Sequence, residues 1–181
     1  MRIAVLTALA SVSLAACGQE AAPTNTVAAS ETNAAEATPT VATPAAAPAT
    51  KEEALKVMHE RHEGMEDIGK ATKTIKRSLD SSAPDVAEIQ KSAATIAALA
   101  AKSSTWFPQG TGPDVRKTGA KPEIWQTYPD FAAKDADFAK AAQAFDAAAK
   151  TGDLNQIKSA FGDLGKSCKA CHDKYRSEMH R

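Results

Sequence analysis

The chain has 181 residues, 22 basic and 22 acidic, with 43% hydrophobic and 5% aromatic composition, which is room for one domain and hardly two. Neutrality with both signs interspersed excludes the basic stripe that nucleic-acid binding requires, and no run of 18 apolar residues is present to form a membrane-spanning helix. Every aromatic lies beyond residue 100 and Arg2 is the sole basic residue of the first 50, so the folded part is expected to fall well short of the full length.

Residues 1–16 read as a secretory signal, with Arg2 ahead of an apolar run from Ile3 and small residues before Cys17. Leu14, Ala15, Ala16 and Cys17 look like the lipobox of bacterial lipoproteins, which implies a lipidated Cys17 as mature N-terminus; ordinary cleavage nearby, leaving a free thiol, is the alternative. An odd third cysteine in an exported chain calls for such an explanation. Residues 18–50 hold twelve Ala, seven Thr and four Pro, with no aromatic, Lys or Arg, a composition that builds no core. Residues 17–50 are therefore expected to form a disordered tether beyond the lipidated cysteine, and 51–181 the folded head.

Two capping boxes announce helices, Thr50 with Glu53 and Ser82 with Asp85, the second with Pro84 in its first turn. In the first helix Leu55, Met58, His62, Met65, Thr72, Ile75 and Leu79 keep to one face, with Ile68 and Gly69 sharing the position between. The second, over about 83–104, sets Val86, Ile89, Ala93, Ile96 and Ala100 on one stripe. Residues 105–128 hold three Pro, three Gly and both Trp, the signature of a structured crossover. A third helix from about Pro129 spaces Phe131, Phe138 and Phe145 by seven and ends at Lys150 and Gly152. Asp153 caps the fourth, whose seam runs Leu154, Ile157, Phe161, Leu164, Cys168, Cys171 and Tyr175. The expectation is an all-α fold, an antiparallel four-helix bundle.

Cys168, Cys171 and His172 form C-x-x-C-H, the pattern of covalent c-type haem. Residues three apart on a helix are neighbours, so two sulfurs reach the two vinyl groups of one porphyrin edge, and His172 stands next to supply the proximal imidazole. Three other readings compete. Zinc needs four ligands and finds no second C-x-x-C, with His59 or His62 the available additions; a thioredoxin-like pair expects a βαβ context; a structural disulfide leaves His172 unexplained.

The residues around this motif resemble the class II c-type cytochromes, the cytochrome c′ family. The likeness spans 51–181: C-x-x-C-H near the C-terminus followed by Asp173-Lys174-Tyr175-Arg176, the preceding Ala160-Phe161-Gly162-Asp163, the crossover Phe107-Pro108-Gln109-Gly110-Thr111-Gly112, and Lys121-Pro122-Glu123-Ile124-Trp125. It implies a four-helix bundle holding one haem c, often a homodimer, with no enzymatic chemistry. The family carries an arginine on the first helix and, four residues later, the residue that faces the iron, here Arg61 and Met65. Arg61 would pair with a haem propionate, with a solvated surface arginine the alternative.

Met65 divides two functions. A thioether on the iron gives a six-coordinate electron carrier; a methionine that only packs leaves an open iron that binds nitric oxide or carbon monoxide. His62 is placed near the propionates, although it and His59 are also rival imidazole ligands. Arg176 and Tyr175 can lie alongside the proximal imidazole, where the resemblance places an arginine, and Trp106, Phe107 and Phe161 are candidates to pack on the haem or else in the core without touching it. Lys158, Lys166, Lys169 and Lys174 read as a solvated face interleaved with Asp163 and Asp173, or else as a rim that steers an acidic redox partner. The resulting expectation is a periplasmic electron carrier tethered by lipidated Cys17, with redox partners unidentified; the gas-binding haem protein is the alternative.

Overall fold

A computed structural model describes residues 42–178. The signal, Cys17 and most of the tether lie outside the described residues. Four long helices carry the fold: α1 (Lys51–Leu79), α2 (Val86–Ala100), α4 (Tyr128–Thr151) and α5 (Leu154–Tyr175), with a 3₁₀ turn (Ser103–Trp106) and the short α3 (Glu123–Gln126) in the crossover. The described residues contain no strand; Ala120 and Arg176 form an isolated antiparallel bridge.

Local chemistry sets the helix ends. Thr50 Oγ1 accepts from Glu53 N at 3.2 Å while the Glu53 carboxylate accepts from Thr50 N at 3.2 Å, a closed capping box. The second helix starts later than the sequence suggests. Asp85, not Ser82, is its N-cap, its side chain accepting from Glu88 N at 3.0 Å and its carbonyl from Ile89 N at 3.1 Å, while its own N–H is taken by Ser78 Oγ of α1 at 2.9 Å and so stays outside the helix. It also stops at Ala100, where the chain tightens into the 3₁₀ turn. Gly152 closes α4 at φ 73°, a left-handed cap that a side chain would strain, and Asp153 then caps α5.

Packing follows chain order: α1 lies on α2, α2 on α4, α4 on α5. Gln90 Nε2 near the start of α2 donates to Ala149 O near the end of α4 at 3.0 Å, so these two run antiparallel, as the short turns force for α1–α2 and α4–α5. The first and last helices are not among the closely packed pairs. Ile75, Ile89, Ile96, Phe145, Ile157 and Leu164 form the centre of the core.

The buried face of α1 is rotated from the one its sequence suggests. The structure buries Ala54, Met58, Arg61, Gly64, Ile68, Ala71, Ile75 and Ser78, because this side meets α2 and the crossover. His62 is exposed, and Met65, Thr72 and Leu79 are half-buried. The end of the tether is also more ordered than its composition suggests: Gln109 N donates to Ala45 O at 3.0 Å, fastening it to the crossover.

Candidate functional site

The fourth helix carries its apolar seam only partly covered. Ile157, Leu164 and Tyr175 are buried, whereas Leu154, Phe161, Cys168 and Cys171 are half-buried. On α1 the half-buried line is Met65, Thr72 and Leu79, at steps of seven that keep a face to within ~20° per step. Leu79 and Phe161 line one cavity of about 390 Å³, together with Lys76, Asp80 and Lys158, so the two half-covered lines come together at this end of the bundle. From that meeting point Met65 lies about 21 Å back along α1, and His172 about 16 Å on along α5, at 1.5 Å per residue. The helices being antiparallel, both positions fall within about one turn of the same level.

The titration of this cluster suits iron ligation and not thiol redox chemistry. Burial pushes the Cys168 thiol up, and burial with the charge of Asp135 pushes Cys171 up to about 11, so neither is the low-pKa thiolate of a disulfide exchanger. Burial, then the charge of Arg176, lower His172, which keeps a lone pair on its imidazole. Both thiols are free. Among the described residues the grouping with metal-ligand spacing is His62, Glu63 and Glu66, exposed on α1, and not the cysteine pair; the zinc reading gains no support.

Arg61 is 5% exposed, and both terminal nitrogens of its guanidinium are held by the crossover while its charge meets no anion there. Nη1 donates to Trp106 O (3.3 Å) and Thr111 Oγ1 (3.4 Å), Nη2 to Thr111 O (3.0 Å) and Thr118 Oγ1 (3.3 Å), and the Phe107 ring lies 5.0 Å from Cζ. None of these partners is a carboxylate. Burial alone lowers its pKa to about 10, the mark of a desolvated cation whose neighbourhood favours an anion. The solvated-surface alternative is thereby excluded, and Thr111 and Thr118 are partners that the sequence did not reveal.

The remaining candidates divide. Trp106 is buried with its indole over α1: a Cβ on Gly64 would lie 2.4 Å from it. Phe161 is half-buried, 5.5 Å from Phe145. Arg176 is half-buried beside the motif, its N–H donating to His172 O at 3.1 Å. His62 is exposed with Nε2 3.3 Å from Glu66, on the flank of α1 one turn from Met65. Lys166 pairs with Asp163 at 2.8 Å, Lys169 with Asp173, and Lys174 with Asp130 at 3.0 Å, so these three cations are locally answered and the solvated-face reading is the one supported. Asp135, buried on α4, went unnoticed although a carboxylate between Phe131 and Phe138 on an apolar stripe was a visible signal.

The residues fit a c-type haem: two neutral thiols one turn apart, an adjoining neutral imidazole, a buried cation, and apolar lines left half-covered on α1 and α5. The comparisons with known proteins agree. The family described as Cytochrome C' matches residues 56–176. Cytochrome c′ of Alcaligenes xylosoxydans xylosoxydans is 38% identical over 94 residues, 52% of this chain and 71% of that one, and cytochrome c-554 of Cereibacter sphaeroides is 39% identical over 98 residues, 52% and 73%. Among solved structures, a nitric oxide complex of a leucine-to-alanine variant of the Alcaligenes xylosoxidans cytochrome superposes with a TM-score of 0.62 at 32% identity, covering 73% of this chain and 99% of that one.

Proposed function

The chain belongs to the cytochrome c′ family, carrying one covalently attached haem c and no enzymatic activity, and from that premise we propose that it is a one-electron carrier with His172 and Met65 as iron ligands. The observation that carries this reading is the level match of Met65 on α1 and His172 on α5 across the two half-covered lines. The haem supplies an iron that alternates between ferric and ferrous. Cys168 and Cys171 would hold the porphyrin edge through thioethers, and His172 would present its neutral imidazole. Met65 would add a soft sulfur that favours the ferrous state. Arg61, fixed by Trp106, Thr111 and Thr118, would offer its cation to a propionate. Trp106 would press α1 into place from behind Gly64. Export to the periplasm with a lipid anchor on Cys17 is part of the same proposal, resting on the leader sequence.

The second reading is gas binding, favoured by the nitric oxide complex of the structural relative. One experiment separates the two. In purified, haem-loaded protein, a sharp reduced α band unshifted by carbon monoxide is expected, and Met65→Ala should broaden it to a high-spin form that takes the gas at once. A wild type that binds carbon monoxide promptly, with a spectrum unchanged by Met65→Ala, overturns ligation in favour of the gas-binding reading.

A further inference from the structure

The first and last helices are not among the closely packed pairs of the described residues, yet the haem reading sets groups from both around one iron. What holds them to each other is found in the crossover. Thr118, Gly119, Ala120 and Lys121 are half-buried between exposed Lys117 and exposed Pro122. On one side this segment reaches α1: Thr118 Oγ1 accepts from Arg61 Nη2 at 3.3 Å and from Ala120 N at 3.3 Å, which fills both lone pairs of the hydroxyl oxygen. The guanidinium and the backbone of Ala120 are thereby joined through one atom. On its other side the segment pairs with the end of α5. Lys121 N donates to Tyr175 O at 3.0 Å and Ser177 N to Gly119 O at 2.9 Å, flanking the antiparallel pair of Ala120 and Arg176. Tyr175 O is one of the last four carbonyls of its helix, which find no partner within it, so the crossover completes the end of α5.

Both attachments fall about one helical turn from the groups assigned to the iron. Arg61 precedes Met65 by four residues on α1, and Arg176 follows His172 by four on α5, its N–H donating to His172 O at 3.1 Å. The other acceptors of Arg61, Trp106 O and Thr111, lie earlier in the crossover; Thr118 is the one beside the segment paired with α5. Removing its oxygen would leave Arg61 Nη2 and Ala120 N each short of an acceptor in a half-buried place, and would break the path from α1 to α5 at a single atom.

We propose that Thr118 is a positioning residue of the haem site: through its hydroxyl oxygen it ties the α1 turn before Met65 to the α5 turn after His172, and so sets the gap through which an added ligand reaches the iron. The proposal rests on the reading that places the haem between α1 and α5, and it holds whether Met65 ligates the iron or only packs. Supporting groups of this kind act by fixing the geometry of the residues that touch the cofactor. With the tie cut, α1 is free to draw away from α5, and carbon monoxide should reach the ferrous iron faster.

The test is the carbon monoxide association rate of the reduced, haem-loaded protein, together with amide exchange at Lys121 and Ser177 read by NMR. In Thr118→Val, which keeps the shape and removes the acceptor, the rate should rise severalfold and both amides should exchange faster, although neither is bonded to Thr118. Thr118→Ser, which keeps the oxygen, should match the wild type. Ser177→Pro removes the donor at the other end of the tie, where the extended Arg176 (φ −107°, ψ 133°) already suits a following proline. It should raise the rate likewise, and it carries the test if Thr118→Val does not fold. A lower melting temperature with unchanged rate and unchanged exchange would make Thr118 a stabilising contact alone and overturns the proposal, as does a Thr118→Ser variant that behaves like Thr118→Val. Should Met65→Ala leave the wild-type rate unchanged, the placement of α1 over the iron has failed and not the tie, which the exchange rates still decide.

Discussion

Gly64 shows how much one missing methyl group can decide. Its α1 position is covered by the Trp106 indole, and a Cβ there would meet the ring at 2.4 and 2.6 Å. The ring is rigid and 5% exposed, so it cannot swing aside. Gly64→Ala gains ~1 kcal/mol of helix propensity but incurs overpacking of about 1–3 kcal/mol; the urea midpoint should fall. Gly165→Ala on exposed α5, where a new Cβ meets nothing within 4 Å, should raise it by ~0.5–1 kcal/mol. Equal shifts of one sign in both variants would contradict the indole contact. At this scale the sequence spoke unevenly. The C-x-x-C-H pattern of Cys168, Cys171 and His172 was legible because its spacing is local. Gly64 was not, since what forbids its side chain is an indole 42 residues further along the chain. The burial of Arg61 was hidden for the same reason: its acceptors come from a crossover whose path no periodicity encodes.

Between elements, the junction of α4 and α5 turns on Asp130. Tyr175 O–H donates to its Oδ2 at 2.6 Å, Lys174 at 3.0 Å, and Lys134 lies 3.4 Å from Oδ1. The bonds from Tyr175 and then Lys174 bring its carboxyl from an ordinary 3.8 down to about 2. A depressed acid stabilises the folded state above its ordinary value and loses that contribution as pH falls. Stability to urea should therefore decline between pH about 4 and about 2, and Asp130→Asn should be weaker at neutral pH but flat across that interval. An acid limb unchanged by the substitution would place the titration elsewhere. The helices themselves were foreseeable from capping and spacing, yet α2 began at Val86 and not near Ala83. The difference comes from Ser78, a residue of the preceding helix whose hydroxyl takes the Asp85 N–H.

At the scale of the whole molecule, the bundle is a row of packed pairs whose end members, α1 and α5, are left with half-covered lines. The apolar stripe read from α1 was displaced in angle: Met65 and Leu79 are half-buried at the edge of the core, while Ala54, Arg61 and Gly64 are buried. Sequence periodicity reports which residues avoid water without saying whether a polypeptide or a porphyrin covers them. A variant that cannot attach haem, Cys168→Ala with Cys171→Ala, should therefore melt lower than the loaded protein and bind a hydrophobic dye that the loaded protein excludes. Equal melting temperatures and no dye binding would mean that the polypeptide closes the bundle unaided.

The row arrangement also has a kinetic consequence. Each long helix packs on the next long helix in the chain, and the pairing of first helix with last is not among the close ones of the described residues. Low contact order of this kind belongs to chains that fold in microseconds to milliseconds. The slow, entropically demanding closure of first helix on last thus lies outside the close packing that the polypeptide makes alone, and the C-x-x-C-H motif lies on the last helix of the bundle.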